Sequence, residues 1–349
     1  MRVLVAAAAL LAAALLVTLA LPVREWRTGD QGLAPLDVAP EKPTPPFPRR
    51  VWIDTDAACG HSPRTDPDDC FAIALLARAN VEIVGISTVA GNAPREVVQA
   101  TTRELLSQLG LPIPVDGSME SELRKGPLTI LALGPMTNVA GVLEEKPELR
   151  RNVARLIAVM GRRPGHIFHP AEGADGGVLF GHGPVFRDFN FAMDPQAVSA
   201  ILGSGIPLSL VPYDAARGVE LTAADLDRLD ASLPWIVRRS RGWLEYWRKD
   251  IGREGFYPFD LLAAAYAVDP SSLRCTPARA RVDKDRKLFL PWSPAALLVE
   301  PDVDGSVLYC GRTRGEVRLL SKDVGVHGEH AAIDGVVDAL GLRLVGGGA

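Results

Sequence analysis

Basic charge is what this chain lacks first: 38 Lys and Arg stand against 42 Asp and Glu, for a formal net charge of -4. No long run of Lys and Arg breaks that balance, so the electrostatic footprint of a nucleic-acid partner is absent. Cysteine is scarce, at 4 in 349 residues, far from the density of a small disulfide-built scaffold. Those four allow three full pairings, of which Cys59 with Cys70 and Cys275 with Cys310 is the simplest; four buried thiols are the alternative. No internal repeat is found, which argues against a solenoid. What remains is an ordinary globular composition, 47% hydrophobic and 23% charged, long enough for one large α/β domain or two smaller ones.

Charge is also missing from residues 3–23, a stretch of mainly Ala, Leu and Val without a polar face. A core helix is therefore a poor reading, and residues 1–23 are expected to be a signal peptide or a membrane anchor, with the chain exported. Residues 24–48 are rich in Pro and polar residues, the composition of an extended tether. The domain proper is expected to occupy 49–349.

The richest stretch follows. Ile53-Asp54-Thr55-Asp56 reads as a strand end, and Asp66-Pro67-Asp68-Asp69-Cys70 opens a helix, so five carboxylates fall within sixteen residues. Period-2 alternation puts Asp54 and Asp56 on one strand face, while Asp66 suits an N-cap and Pro67 the first helical position. Acids in a first turn complement the helix dipole and by themselves require no ligand. Carboxylates converging from a strand end and a helix start repel, however, unless a cation or shared protons offset the charge. With neither His nor Cys supplying the usual zinc ligands, the oxygen-only set suits Ca²⁺ or Mg²⁺.

From residue 81 on, short apolar runs alternate with helical patterns. Strands are expected at 81–89, 128–133, 154–160 and 207–211, with helices at 94–109, 194–202 and 261–268. The rhythm predicts an α/β fold: a mostly parallel open sheet with helices on both faces. C-terminal hairpin elements follow near Leu297-Leu298-Val299 and Val307-Leu308-Tyr309, then a last helix near 331–340. In such sheets ligands bind beyond the carboxyl ends of the strands, where the Asp cluster, Asn92 and Thr137 all fall. Between 221 and 249 lies a helical excursion with Trp235, Trp243 and Trp247, whose expected role is core packing, with substrate stacking as the alternative.

Five motifs, in order, carry a resemblance: Ile53-Asp54-Thr55-Asp56 with Asp68-Asp69, Thr88-Val89-Ala90-Gly91-Asn92, Leu131 to Asn138 (Leu-Ala-Leu-Gly-Pro-Met-Thr-Asn), Asp188-Phe189-Asn190, and Asp260 to Tyr266 (Asp-Leu-Leu-Ala-Ala-Ala-Tyr). Together they make the chain similar to the inosine–uridine-preferring nucleoside hydrolases over about 49–270. That resemblance implies Ca²⁺-dependent hydrolysis of ribonucleosides to ribose and free base. It implies Asp56, Asp69, Asp260 and the Thr137 carbonyl as calcium ligands, and Asp56 as the base that activates water. Asp68, Asp188 and Asn190 are implied to hold ribose hydroxyls, and Asn92 to orient water or ribose. The partner is then a small nucleoside; homo-oligomerisation and membrane attachment through the N-terminal segment stay open.

Three departures from the family's pattern stand out. The turn between the two Asp groups is expanded by residues 58–67; Asp188 replaces the usual Glu; and Phe259 stands where many members carry a leaving-group His. Phenylalanine cannot donate a proton, though it can stack on a base. Of His61, His166, His169 and His182, the last falls nearest the ribose and is the best substitute acid. Two other readings remain: a non-catalytic surface protein that keeps a metal- and ribose-binding pocket, and a Mg²⁺-dependent phosphohydrolase using Asp54-Thr55-Asp56 as an Asp-x-Asp motif.

Overall fold

A computed structural model describes residues 10–12, 46–79, 81–165, 188–216, 219–285 and 295–313. Residues 1–9 and 13–45, His166, His169, His182 and the expected helix near 331–340 lie outside the described residues. Among the described residues no helix is long and apolar enough to cross a membrane.

The βα alternation folds as expected. Strands β1 (Arg50–Thr55), β2 (Glu82–Thr88), β3 (Leu128–Ala132), β4 (Val153–Ala158) and β5 (Leu208–Leu210) are joined by helices. These include α1 (Asp68–Arg78), α2 (Arg95–Leu109), α3 (Met119–Arg124), α4 (Thr137–Glu145), α5 (Phe189–Met193) and α6 (Pro195–Gly203). The five strands pair in parallel, within an eight-stranded sheet of order β2-β1-β3-β4-β5-β10-β8-β9. Strands β1 and β3 at the heart of its parallel part are almost wholly buried, as parallel strands covered on both faces must be. One apolar core on each face, built largely on α1 and α4 respectively, holds the helices to the sheet.

After β5 come α7 (Tyr213–Ala216), the short β6 (Leu221–Thr222), α8 (Ala223–Leu229), α9 (Pro234–Tyr246), β7 (Gly255–Phe256) and α10 (Phe259–Val268). Strands β8 (Leu273–Lys284), β9 (Ala295–Pro301) and β10 (Val307–Thr313) complete the sheet. β8 and β9 form the expected antiparallel pair, but the Asp304-Gly305 turn does not close a second hairpin. Instead β10 enters between β5, to which it is parallel, and β8, to which it is antiparallel. Helix α1 starts at Asp68, one residue later than expected, yet Asp66 Oδ1 still accepts from the Asp68 amide at 3.1 Å.

All four cysteines are in disulfides, Cys59–Cys70 and Cys275–Cys310. The first ties the expanded turn to α1; the second ties β8 to β10. Closing so short a loop as the first stabilises by about 3 kcal/mol in the chain-entropy model. The Cys59→Ser/Cys70→Ser double variant is therefore expected to unfold in urea with a free energy lower by about that amount. An unchanged midpoint and slope would show that the bridge contributes nothing.

Candidate active site

The carboxyl end of β1 delivers two aspartates to different environments. Asp54 is fully buried and off the cavity: its Oδ1 accepts from Ser87 Oγ at 2.5 Å and Asn138 Nδ2 at 2.8 Å. Burial raises its carboxyl to about 7. Held there, Asp54 braces the strand ends and cannot reach a substrate, which removes the first carboxylate an Asp-x-Asp phosphohydrolase would use.

Asp56, two residues on, lines the cavity. Its Oδ2 accepts from the Asn92 backbone N–H at 2.9 Å. The approach is so close that a Cβ at Gly91 would lie 1.9 Å from that oxygen, so the Ala90-Gly91-Asn92 loop requires glycine there.

Opposite stand the first turns of α1 and α10, which pack against each other. Asp68 Oδ2 accepts from the Asp260 amide at 3.0 Å, joining the two helix starts. Asp69 accepts a hydrogen bond from Thr55 Oγ1, and Asn92 Nδ2 lies 3.5 Å from its other oxygen. One oxygen from each of Asp68, Asp69 and Asp260 lies within 4.8 Å of the others, and all three residues are buried. Both helix N-termini aim their dipoles at these acids, a partial compensation only.

The electrostatics register the crowding. Burial, then the charge of Asp68, pushes Asp69 up to about 7. Burial, then Asp69, holds Asp56 well above the usual carboxylate range, and burial with Asp68 and Asp69 does the same to Asp260. Buried oxygens that repel one another are the donor set of a hard cation, and Asp56 borders the same space. The residues fit a hard divalent cation.

A cavity of about 460 Å³ opens above this cluster. Asp56, Asp68, Asn92, Asp188, Asn190, Phe259 and Asp260 all line it, so the structure brings most of the expected site together. Asp188 caps α5: its Oδ1 accepts from Phe191 N at 3.2 Å and its Oδ2 from Gly161 N at 2.7 Å, while burial raises it to about 6. A carboxylate so held keeps lone pairs for a sugar hydroxyl. Asn190 spends its amide N–H groups on the carbonyls of Leu133 (2.6 Å) and Val159 (3.0 Å), leaving Oδ1 as an acceptor.

Thr137 is not brought in. It opens α4, is exposed, and donates its hydroxyl to Asp194 at 2.7 Å. From this segment it is Leu133, just past the end of β3 and four residues earlier, that lines the cavity. His61 is exposed and does not line the cavity. Trp243 serves two purposes: it is 6% exposed in the core, as expected, yet its ring also borders the cavity beside Tyr246. Arg64 and Asp66, from the expanded turn, join the lining as well. Their signal in the sequence was the expansion itself, placed between the two acid pairs Asp54/Asp56 and Asp68/Asp69.

Comparison with known proteins agrees with this geometry. The profile described as inosine-uridine preferring nucleoside hydrolase matches residues 119–318. The pyrimidine-specific ribonucleoside hydrolase RihA of Salmonella typhimurium is 27% identical over 226 residues, 52% of this chain and 65% of that relative. Among solved structures, the plant nucleoside hydrolase PpNRh1 superposes with a TM-score of 0.62 at 19% identity, covering 85% of this chain and 99% of its own. The purine-preferring ribonucleoside hydrolase from Gardnerella vaginalis gives 0.63 at 17% identity, over 83% and 98%. At such identities the structural likeness speaks for the fold.

Proposed function

The chain belongs to the inosine-uridine preferring nucleoside hydrolase family, and from that premise we propose that it hydrolyses the N-glycosidic bond of ribonucleosides with the help of Ca²⁺. The observation that carries the reading is Asp56, a buried carboxylate at the strand end with one oxygen held by Asn92, facing a cavity rimmed by sugar-binding groups. Asp56, Asp69 and Asp260 hold the metal, with Asp68 beside them. A bound Ca²⁺ supplies positive charge that favours ionised water and gathers a sugar diol.

The remaining steps belong to side chains. Asp56 takes a proton from water, whose oxygen forms a bond to ribose C1′. The glycosidic bond breaks with its electron pair on the base nitrogen, and a proton from solvent completes the free base. Asp68, Asp188 and the Asn190 Oδ1 accept from ribose hydroxyls, and Asn92 fixes Asp56 and the water. Release of reducing sugar from a nucleoside panel with added calcium tests the reading. Ribose binding without turnover would favour the binding-protein alternative. Export is part of the proposal: two disulfides support an oxidising compartment.

Phe259 borders the cavity and offers no proton to the leaving base. Purines accept a proton or a charged hydrogen bond on the imidazole ring, whereas uracil gains less by that route, so kcat/KM for purine ribosides is expected to exceed that for uridine. RihA is named for pyrimidines and the Gardnerella vaginalis enzyme for purines, so the relatives do not decide the matter. Equal values for inosine and uridine would refute this preference. If His182 supplies the proton instead, His182→Ala slows natural nucleosides while a p-nitrophenyl riboside, whose leaving group needs none, keeps its rate.

A further inference from the structure

We propose that Arg64, in the expanded turn, determines specificity by donating hydrogen bonds to the O6/N7 edge of a 6-oxopurine leaving base; this rests on the nucleoside-hydrolase reading above. The turn is a built wall. Ser62 N donates to Thr65 Oγ1 at 3.1 Å, Thr65 N to Ser62 O at 3.0 Å, and the Cys59–Cys70 bridge closes its base. It packs on α9 so closely that a Cβ at Gly242 would lie 2.9 Å from Pro63 Cα.

Arg64 is thereby set over the Tyr246 ring, 5.0 Å from guanidinium carbon to centroid. Tyr246 leans on Trp243 with ring centroids 5.2 Å apart and planes tilted by 36°, and edge-on ring contacts continue through Trp247 and Tyr257 to Phe259, beside the acid cluster. Phe259, Trp243, Tyr246 and Arg64 all line the cavity, backed by the buried rings of Trp247 and Tyr257, and the same cavity holds the Asp188 and Asn190 assigned to the sugar. Aromatic faces there suit a flat base, and a guanidinium stacked on tyrosine presents its donors in a fixed fork.

Arg64 supplies the donors on this wall, since the Trp243 Nε1–H is buried. A 6-oxopurine offers the adjacent acceptors O6 and N7 that an arginine fork matches, whereas adenine sets an amino group against it. A phosphate is the poorer match, because Asp250 lies 3.5 Å from the guanidinium and Asp66 shares the lining, so local charge is already balanced.

The test compares kcat/KM for inosine and adenosine in the wild-type protein and in Arg64→Met and Arg64→Lys, all with calcium. The wild type is expected to favour inosine, and both substitutions to lower the inosine-to-adenosine ratio by about 10- to 100-fold, the worth of one bidentate base contact. Lysine fails with methionine because it keeps the charge without the fork. A ratio that holds within twofold in both variants overturns the proposal. Turnover of p-nitrophenyl riboside by each protein separates misfolding from lost recognition. If the wild type cleaves no riboside at all, the hydrolase reading has failed, and Arg64 is judged on Kd for inosine against adenosine by tryptophan fluorescence. An unchanged Kd ratio in Arg64→Met then sinks it.

Discussion

Replacing Asp56 with asparagine is expected to lower kcat by at least about 10³-fold, because general-base catalysis alone supplies roughly 10²–10⁴ and one metal oxygen is weakened as well. The substitution is close to isosteric. Asparagine still presents an oxygen to the Asn92 amide, so the strand end keeps its shape. What it loses is the ability to take the water's proton and one negative charge beside Asp69 and Asp260. Its melting temperature without calcium should therefore hold or rise, since a buried carboxylate under repulsion has been removed. Low activity with an intact fold identifies chemistry rather than collapse. A loss below tenfold in kcat, measured at saturating inosine and calcium, would reduce Asp56 to a structural role.

Calcium removal should abolish turnover, and its effect on stability should depend on pH in a stated direction. The cluster's carboxyls titrate higher in the folded protein than the ordinary 3.8, with Asp69 at about 7 and Asp56 and Asp260 well above their usual range. A raised folded value means the native state keeps protons that the unfolded chain has already released. The stability these groups contribute is complete below about pH 4 and is lost as pH rises through about 7. Metal-free protein should accordingly melt at lower temperature at pH 7.5 than at pH 5. Calcium binds the deprotonated oxygens, so its stabilisation should be larger at pH 7.5, about 2.7 kcal/mol when calcium is at a hundredfold its Kd. Melting scans in EDTA and in calcium at both pH values decide it. A calcium shift as large at pH 5 as at pH 7.5, or full activity in metal-free protein verified by elemental analysis, would remove the metal from the account.

Much of the site was legible because each polar motif follows an apolar strand, and in a parallel sheet all strand ends of one direction meet on one side. That logic placed Asp56, Asp68, Asp69 and Asn92 together without distances, whereas Asp188, Asn190 and Asp260 entered only through the family resemblance. It failed at Thr137 because a strand end and a helix start lie only four residues apart there. One turn of backbone separates a residue facing the cavity from one facing solvent. It also overstated Asp54: period-2 alternation puts Asp54 and Asp56 on one face, but the strand ends between them, and only the second clears the sheet. Trp243 was hidden for another reason. A large ring packs one side into the core while the other faces the cavity, and spacing on a helix does not distinguish those faces. The position of β10 depends on long-range pairing that no local pattern carries.

That position of β10 bears on the order in which the chain matures. The acid cluster and its cavity draw on β1 through α10, all complete in sequence before residue 273, whereas the sheet is continuous only once β10 has slid between β5 and β8. At synthesis rates of about 5–20 residues per second, the portion bearing the cavity emerges seconds before the strand that joins β8 and β9 to it. The two disulfides then belong to different moments. Cys59 and Cys70, eleven residues apart, lie within one local segment and can be oxidised early. Cys275 and Cys310 adopt their native separation only after β10 has docked, so that bond seals a finished sheet and prevents the late strand from slipping back out.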